Sequence, residues 1–117
     1  MQRISIILRR PPYGTIDAPE AIRHALGAIT DDLPVQLILV DGGVNAARKG
    51  QDTGTTGYLS AEDGIRDCLD MGTKVYVDGQ SLEAAGISAS DLIDGVTVAG
   101  DGDIAVILKG SGTMMIF

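Results

Sequence analysis

Five short apolar runs rich in β-branched residues punctuate this chain, and the first three stop abruptly at strand-breaking residues. Ile4–Leu8 ends at Arg9-Arg10-Pro11-Pro12, Val35–Val40 at Asp41-Gly42-Gly43, and Lys74–Val77 at Asp78-Gly79. Val96–Ala99 and Thr113–Phe117 complete the set. A run that is apolar at every position fits a strand covered on both faces rather than a half-solvated one. Helical stretches separate these runs, and strand–helix alternation implies right-handed crossovers and a mostly parallel sheet. The expected fold is therefore a three-layer α/β domain spanning residues 1–117, doubly wound, with five strands and helices on both faces.

The intervening stretches carry their own start and stop signals. Asp17 followed by Glu20 fits a capping box, and Ala18, Ala21, Ile22, Ala25, Leu26 and Ile29 recur at helical spacing up to Asp31-Asp32. A short helical piece is expected over Val44–Lys49, and residues 50–58 lack periodicity and read as a mobile loop. Ser60 with Asp63 caps the next helix, whose inner face is Ile65, Cys68 and Leu69 and which stops at Gly72. Short helices follow over Ser81–Ala85 and Ser90–Ile93, and Asp101 or Asp103 caps a last one through Ile104–Leu108.

Charge and cysteine content narrow the function classes. Nine Lys and Arg against sixteen Asp and Glu give a net charge of −7. Such a chain is a poor partner for phosphate backbones or anionic membranes. With aromatic residues at only 3%, few rings are available to stack on single-stranded nucleic acid. A single cysteine excludes an internal disulfide and a multi-cysteine zinc site, and suits a reducing compartment. The apolar run after Met1-Gln2-Arg3 is too short for a signal-peptide core or a membrane span. A cytoplasmic protein with no direct nucleic-acid or membrane partner is expected, without a metal or cofactor.

In sheets of this kind ligands sit beyond the carboxyl ends of the strands. Those ends carry Tyr13 and Gly14, Asp41 and Gly42, and Asp78, Gly79 and Gln80, which are the crevice candidates. Asp41 and Asp78 face the same edge, either as a general acid/base couple or, the preferred reading, as helix and turn caps. Tyr13 either packs over the first loop as a lid or anchor, or fills a gap in the core. Asp78 also resembles the acceptor position of receiver domains, but Mg²⁺ would need further acids after the first strand, where Arg9 and Arg10 stand. No phosphate-cradling GxxxxGK[ST] or GxGxxG follows the first strand. His24 misses the apolar stripe of its helix and reads as solvated. Cys68, near Asp67 and Asp70, reads as an inert small hydrophobe and is the sole alternative nucleophile.

Four motifs in order carry a family resemblance across nearly the whole chain. Pro12-Tyr13-Gly14-Thr15 with the Ala/Ile/Leu helix resembles the "PYG(S/T)…A…AL" opening of the DsrE/DsrF-like family. Val40-Asp41-Gly42-Gly43 through Lys49-Gly50-Gln51 resembles its "DGV…A.KGQ" segment, and Gly72 through Ile87 its "G.KVYVC..SLEARGI". The ending from Leu92-Ile93-Asp94-Gly95-Val96 to the final strand fits as well. The resemblance implies a flavodoxin-like sheet and small cytoplasmic oligomers. It also implies a place in sulfur relay, either thiolation of a tRNA wobble uridine or dissimilatory sulfur oxidation.

The same resemblance locates a departure. In sulfur-carrying members a cysteine at the end of the third strand bears a persulfide, eight residues before the glycine of an Arg-Gly pair. Counting back from Gly86 gives Asp78, and Ala85 stands where the arginine would be. An aspartate cannot hold sulfane sulfur, because persulfide exchange needs an attacking and leaving thiolate. The chain is thus most similar to the TusC/DsrF type of subunit. It is expected to be a non-catalytic accessory protein, forming homo-oligomers or hetero-oligomers with DsrE-like paralogues. Two alternatives stand beside this: a sulfurtransferase using Cys68, and a small-ligand module at the strand-end crevice.

Overall fold

The computed structural model describes residues 3–54, 56, 60–100 and 102–117. Five strands form: β1 (Arg3–Leu8), β2 (Val35–Leu39), β3 (Lys74–Asp78), β4 (Thr97–Ala99) and β5 (Ser111–Ile116). Four α-helices join them: α1 (Asp17–Thr30), α2 (Ala61–Asp70), α3 (Gly79–Ala85) and α4 (Asp103–Lys109). The strand order is β4-β3-β2-β1-β5, and every pairing is parallel. The expected α/β sheet is therefore present and is parallel throughout.

Strand order decides where each helix goes. Three crossovers, β1 to β2 to β3 to β4, step the same way across the sheet. Right-handed crossovers place α1, α2 and α3 on one side. The return from β4 to β5 spans the sheet in the opposite direction, so α4 lies alone on the other side.

The packing agrees with this division. Ile6 pairs with Leu37 and Leu37 with Val75, while Leu8 pairs with Leu39 and Leu39 with Val77. These six side chains share one face and join Ala18, Ala21, Ile22 and Ala25 of α1, Ile65 and Cys68 of α2 and Leu82 of α3 in the main core. Full burial of each larger aliphatic side chain contributes roughly 1.5–3 kcal/mol. Alanines on α1 let that helix approach the strands closely. On the opposite face Ser5, Ile7, Gln36 and Ile38 are buried, but the β5 neighbours of Ser5 and Ile7 are not: Met114 is 55% and Ile116 61% exposed. Val106 of α4 is 68% exposed. A helix of seven residues cannot cover five strands, so this side keeps bare apolar surface.

Several local expectations change. Ile16, not Asp17, is the N-cap of α1, and no side chain caps it; Asp17 sits in the first turn, 3.4 Å from Arg10 Nε. The piece expected as a helix over Val44–Lys49 is a 3₁₀ helix over Asp41–Ala47. Within it Gly43 is pressed so closely on the end of β1 that a Cβ would stand 2.1 Å from the Leu8 carbonyl oxygen. Gly102 precedes α4 without a side-chain cap, and Asp103 instead accepts the Gly100 N–H at 3.0 Å. The other expected cap, Asp101, lies outside the described residues, as do residues 55, 57 and 58 of the loop expected over 50–58. The Ser60 cap forms, accepting the Asp63 N–H at 3.3 Å. His24 is half-buried rather than solvated: Nδ1 lies 2.7 Å from the Glu20 carbonyl oxygen, and the ring is 5.3 Å from that of Phe117.

The glycine contact yields a test. Gly43→Ala must displace backbone rather than a flexible side chain, so it should cost about 1–3 kcal/mol or more. Urea unfolding should show a lower midpoint with an unchanged slope; a midpoint equal to that of the wild type contradicts the close approach.

Candidate functional site

The carboxyl ends of β2 and β3 are tied by a short hydrogen-bond chain. β3 ends at Asp78, whose extended backbone lets its side chain turn back over the first turn of α3. Asp78 Oδ2 accepts the Ser81 N–H at 3.1 Å and the Ser81 hydroxyl at 2.6 Å. Ser81 Oγ in turn accepts the Asp41 N–H at 2.9 Å. Asp78 is therefore an N-cap, as the capping reading expects, and it satisfies one of the helix's orphan donors. Asp41 behaves differently. Its side chain caps nothing; it stands 71% exposed, 4.0 Å from Arg9 Nε. The two carboxylates thus have different partners, Ser81 for Asp78 and Arg9 for Asp41.

Asp41, Gly42, Asp78 and Gln80 line one crevice of about 410 Å³, together with Asn45 and Ser81. Gly79 lies beside it, where a Cβ would come 3.0 Å from the Ala99 carbonyl oxygen. Gly14 lines none of the crevices described and is exposed, with φ at +96°. Tyr13 belongs to a second crevice, about 370 Å³, which shares Asn45 with the first.

Tyr13 is an anchor. Its hydroxyl donates to Gln51 Oε1 and accepts the Ala61 N–H at 3.2 Å, at the start of α2. Gln51 Nε2 donates to the carbonyls of Ala46 and Arg48, each at 2.9 Å, and its N–H donates to Glu62 Oε1 at 2.9 Å. Glu62 also holds Arg66, at 2.8 Å. One network thus fastens the first loop, the segment after the 3₁₀ helix and α2. Gln51, Ser81 and Asn45 are the residues sequence reasoning did not single out. Ser81 stands three residues after Asp78, the spacing of a cap, which is the signal that could have revealed it.

Cys68 lines neither crevice. It is fully buried on the inner face of α2. Burial first, and the charge of Asp67 second, push its thiol up to about 11. Among the described residues no three His, Cys, Asp or Glu side chains are grouped to hold a metal ion. No helix among them is long and apolar enough to cross a membrane.

Comparison with known proteins now decides the family. The DsrE/DsrF-like family model matches residues 2–117. This chain belongs to the DsrE/DsrF-like family. The intracellular sulfur oxidation protein DsrF of Allochromatium vinosum is 34% identical over 95 residues, 80% of this chain and 70% of that protein. An uncharacterized Methanopyrus kandleri protein, MK0008, is 30% identical over 97% of this chain and 93% of its own length. Among solved structures, the ychN protein of E. coli superposes with a TM-score of 0.91 at 24% identity, covering both chains fully. Protein MTH1491 of Methanobacterium thermoautotrophicum follows the same fold, with a TM-score of 0.76 at 16% identity over the full length of both chains.

Two outcomes test this geometry. At mildly alkaline pH a thiol-reactive disulfide reagent should label Cys68 more slowly, by roughly tenfold or more, in the folded protein than in urea, since the fold both shields the thiol and keeps it protonated; equal rates would contradict its burial. Glu62 supplies the second. The Arg66 hydrogen bond, then the Gln51 N–H, hold its carboxyl below the ordinary range. Its contribution is therefore present above the usual carboxylate pKa and lost as pH falls through the folded value. Glu62→Gln should lower stability at neutral pH and flatten its fall toward acid; an unchanged pH profile contradicts the network.

Proposed function

We propose that this DsrE/DsrF-like protein is an accessory or assembly subunit of an intracellular sulfur-relay system and does not itself carry sulfur. The observation that carries the reading is Asp78 at the end of β3, engaged as the cap of α3 by both donors of Ser81. A carboxylate offers neither the nucleophile nor the leaving group of persulfide exchange. Kinship with the sulfur oxidation protein DsrF supports the sulfur-relay setting. The alternative acceptor, Cys68, lies in the core with its thiol pushed up to about 11, which argues against Cys68 as a sulfurtransferase nucleophile.

An accessory role requires a surface on which to assemble. The side of the sheet served only by α4 supplies a candidate, with Val106, Met114 and Ile116 bare. Copies of a chain carrying net charge −7 repel one another, so contact through an uncharged apolar patch is favoured. The occupant is a second copy of this chain or a Cys-bearing paralogue of the same fold.

Size-exclusion chromatography with light scattering tests the reading. The wild type should elute as a multiple of 12.1 kDa, alone or mixed with a Cys-bearing family member. Met114→Glu with Ile116→Glu should return it to the monomer with an unchanged far-UV circular dichroism spectrum. A wild type that is strictly monomeric and ignores its paralogues overturns the assembly role.

A further inference from the structure

The second crevice is a place where the background charge of the chain is reversed. Arg9 stands near Asp41, Arg10 near Asp17, Arg23 near Glu20 and Arg66 near Glu62. Arg48 and Lys49 differ. Both are exposed and line the second crevice, and among the described residues neither side chain makes a hydrogen bond or ion pair. Two acids bear on them. Asp91 feels both only through longer-range electrostatics, its carboxyl being held mainly by Ser88. Asp52 shares the lining, with Oδ1 already accepting the Gly54 N–H at 2.8 Å.

The rest of the crevice is built and partly apolar. Pro11, Pro12 and Tyr13 contribute to its lining from the β1–α1 loop, and Pro12 is buried. The segment carrying Arg48 and Lys49 is fixed to that loop by the Tyr13–Gln51 hydrogen bond and by the two bonds from Gln51 Nε2 to the Ala46 and Arg48 carbonyls. The two linings therefore stay together without a ligand. A volume of about 370 Å³ suits a small molecule.

We infer that this crevice binds a small organic anion: a carboxylate or phosphate group on a flat apolar body. The guanidinium of Arg48 presents a planar fork that matches either head group bidentately, and Lys49 adds a point charge. The Pro-Pro-Tyr lining takes the body. The inference does not rest on the role of Asp78 and goes beyond the proposed accessory function.

Titration of ¹⁵N-labelled protein with phenyl phosphate and with benzoate tests it, against inorganic phosphate and potassium chloride at matched ionic strength. Saturable amide shifts over residues 48–52 with either organic anion are expected, and the stronger of the two identifies the head group. Arg48→Ala with Lys49→Ala should weaken that binding at least tenfold. Lys74→Ala, at the start of β3 and thus the opposite edge of the sheet, should leave it unchanged. The unfolding midpoint of the double variant checks that its fold is intact. Shifts that only follow ionic strength, or binding that survives the double variant, overturn the site. Inorganic phosphate binding as tightly as phenyl phosphate overturns the apolar body.

Discussion

The handedness of β-strand crossovers is the constraint on which the rest of this structure depends. With the order β4-β3-β2-β1-β5, three connections run one way and one runs back. Chirality then gives one side three helices and the other a single short one. The crowded side receives the aliphatic core of Ile6, Leu8, Leu37, Leu39, Val75 and Val77. The sparse side keeps Met114, Ile116 and Val106 exposed. Because all five strands are parallel, their carboxyl ends share one edge, and both crevices open along it.

At that edge the chemistry turns on one side chain. A helix N-terminus favours a negative, hydrogen-bond-accepting group. A thiolate would be favoured there electrostatically and would be reactive. Asp78 is favoured for the same reason and is unreactive toward sulfur. Its bonds to Ser81, and the bond of Ser81 to the Asp41 N–H, turn the position into a tie between β2 and β3. The position thus serves as a structural tie between two strand ends.

Much of the fold is legible in the sequence. β-Branched runs bounded by Pro-Pro, Asp-Gly-Gly and Asp-Gly mark the strands within a residue or two, because those residues cannot continue a ladder. Capping signals are less faithful. Asp17-x-x-Glu20 has the pattern of a box, yet an acid in the first turn gives the same pattern, and Asp17 turns to Arg10 instead. The 3₁₀ helix at Asp41–Ala47 packs Gly43 against Leu8, thirty-five positions apart in the chain, a contact that local periodicity does not encode. Tyr13 is similar: its partner Gln51 is 38 residues away. For that reason the candidates at the strand ends read as one crevice and form two. The Asp78 cap is legible at the strand end, whereas the bond from the Asp41 N–H to Ser81 joins residues 40 positions apart.

The central claim is that position 78 cannot accept sulfur and no other side chain takes over. Intact-mass spectrometry after incubation with a persulfide donor, beside a Cys-bearing family member treated in parallel, tests this most directly. The account predicts a wild-type mass that does not change while the relative gains sulfur. A reductant-labile gain of one sulfur atom on the folded wild type would contradict it.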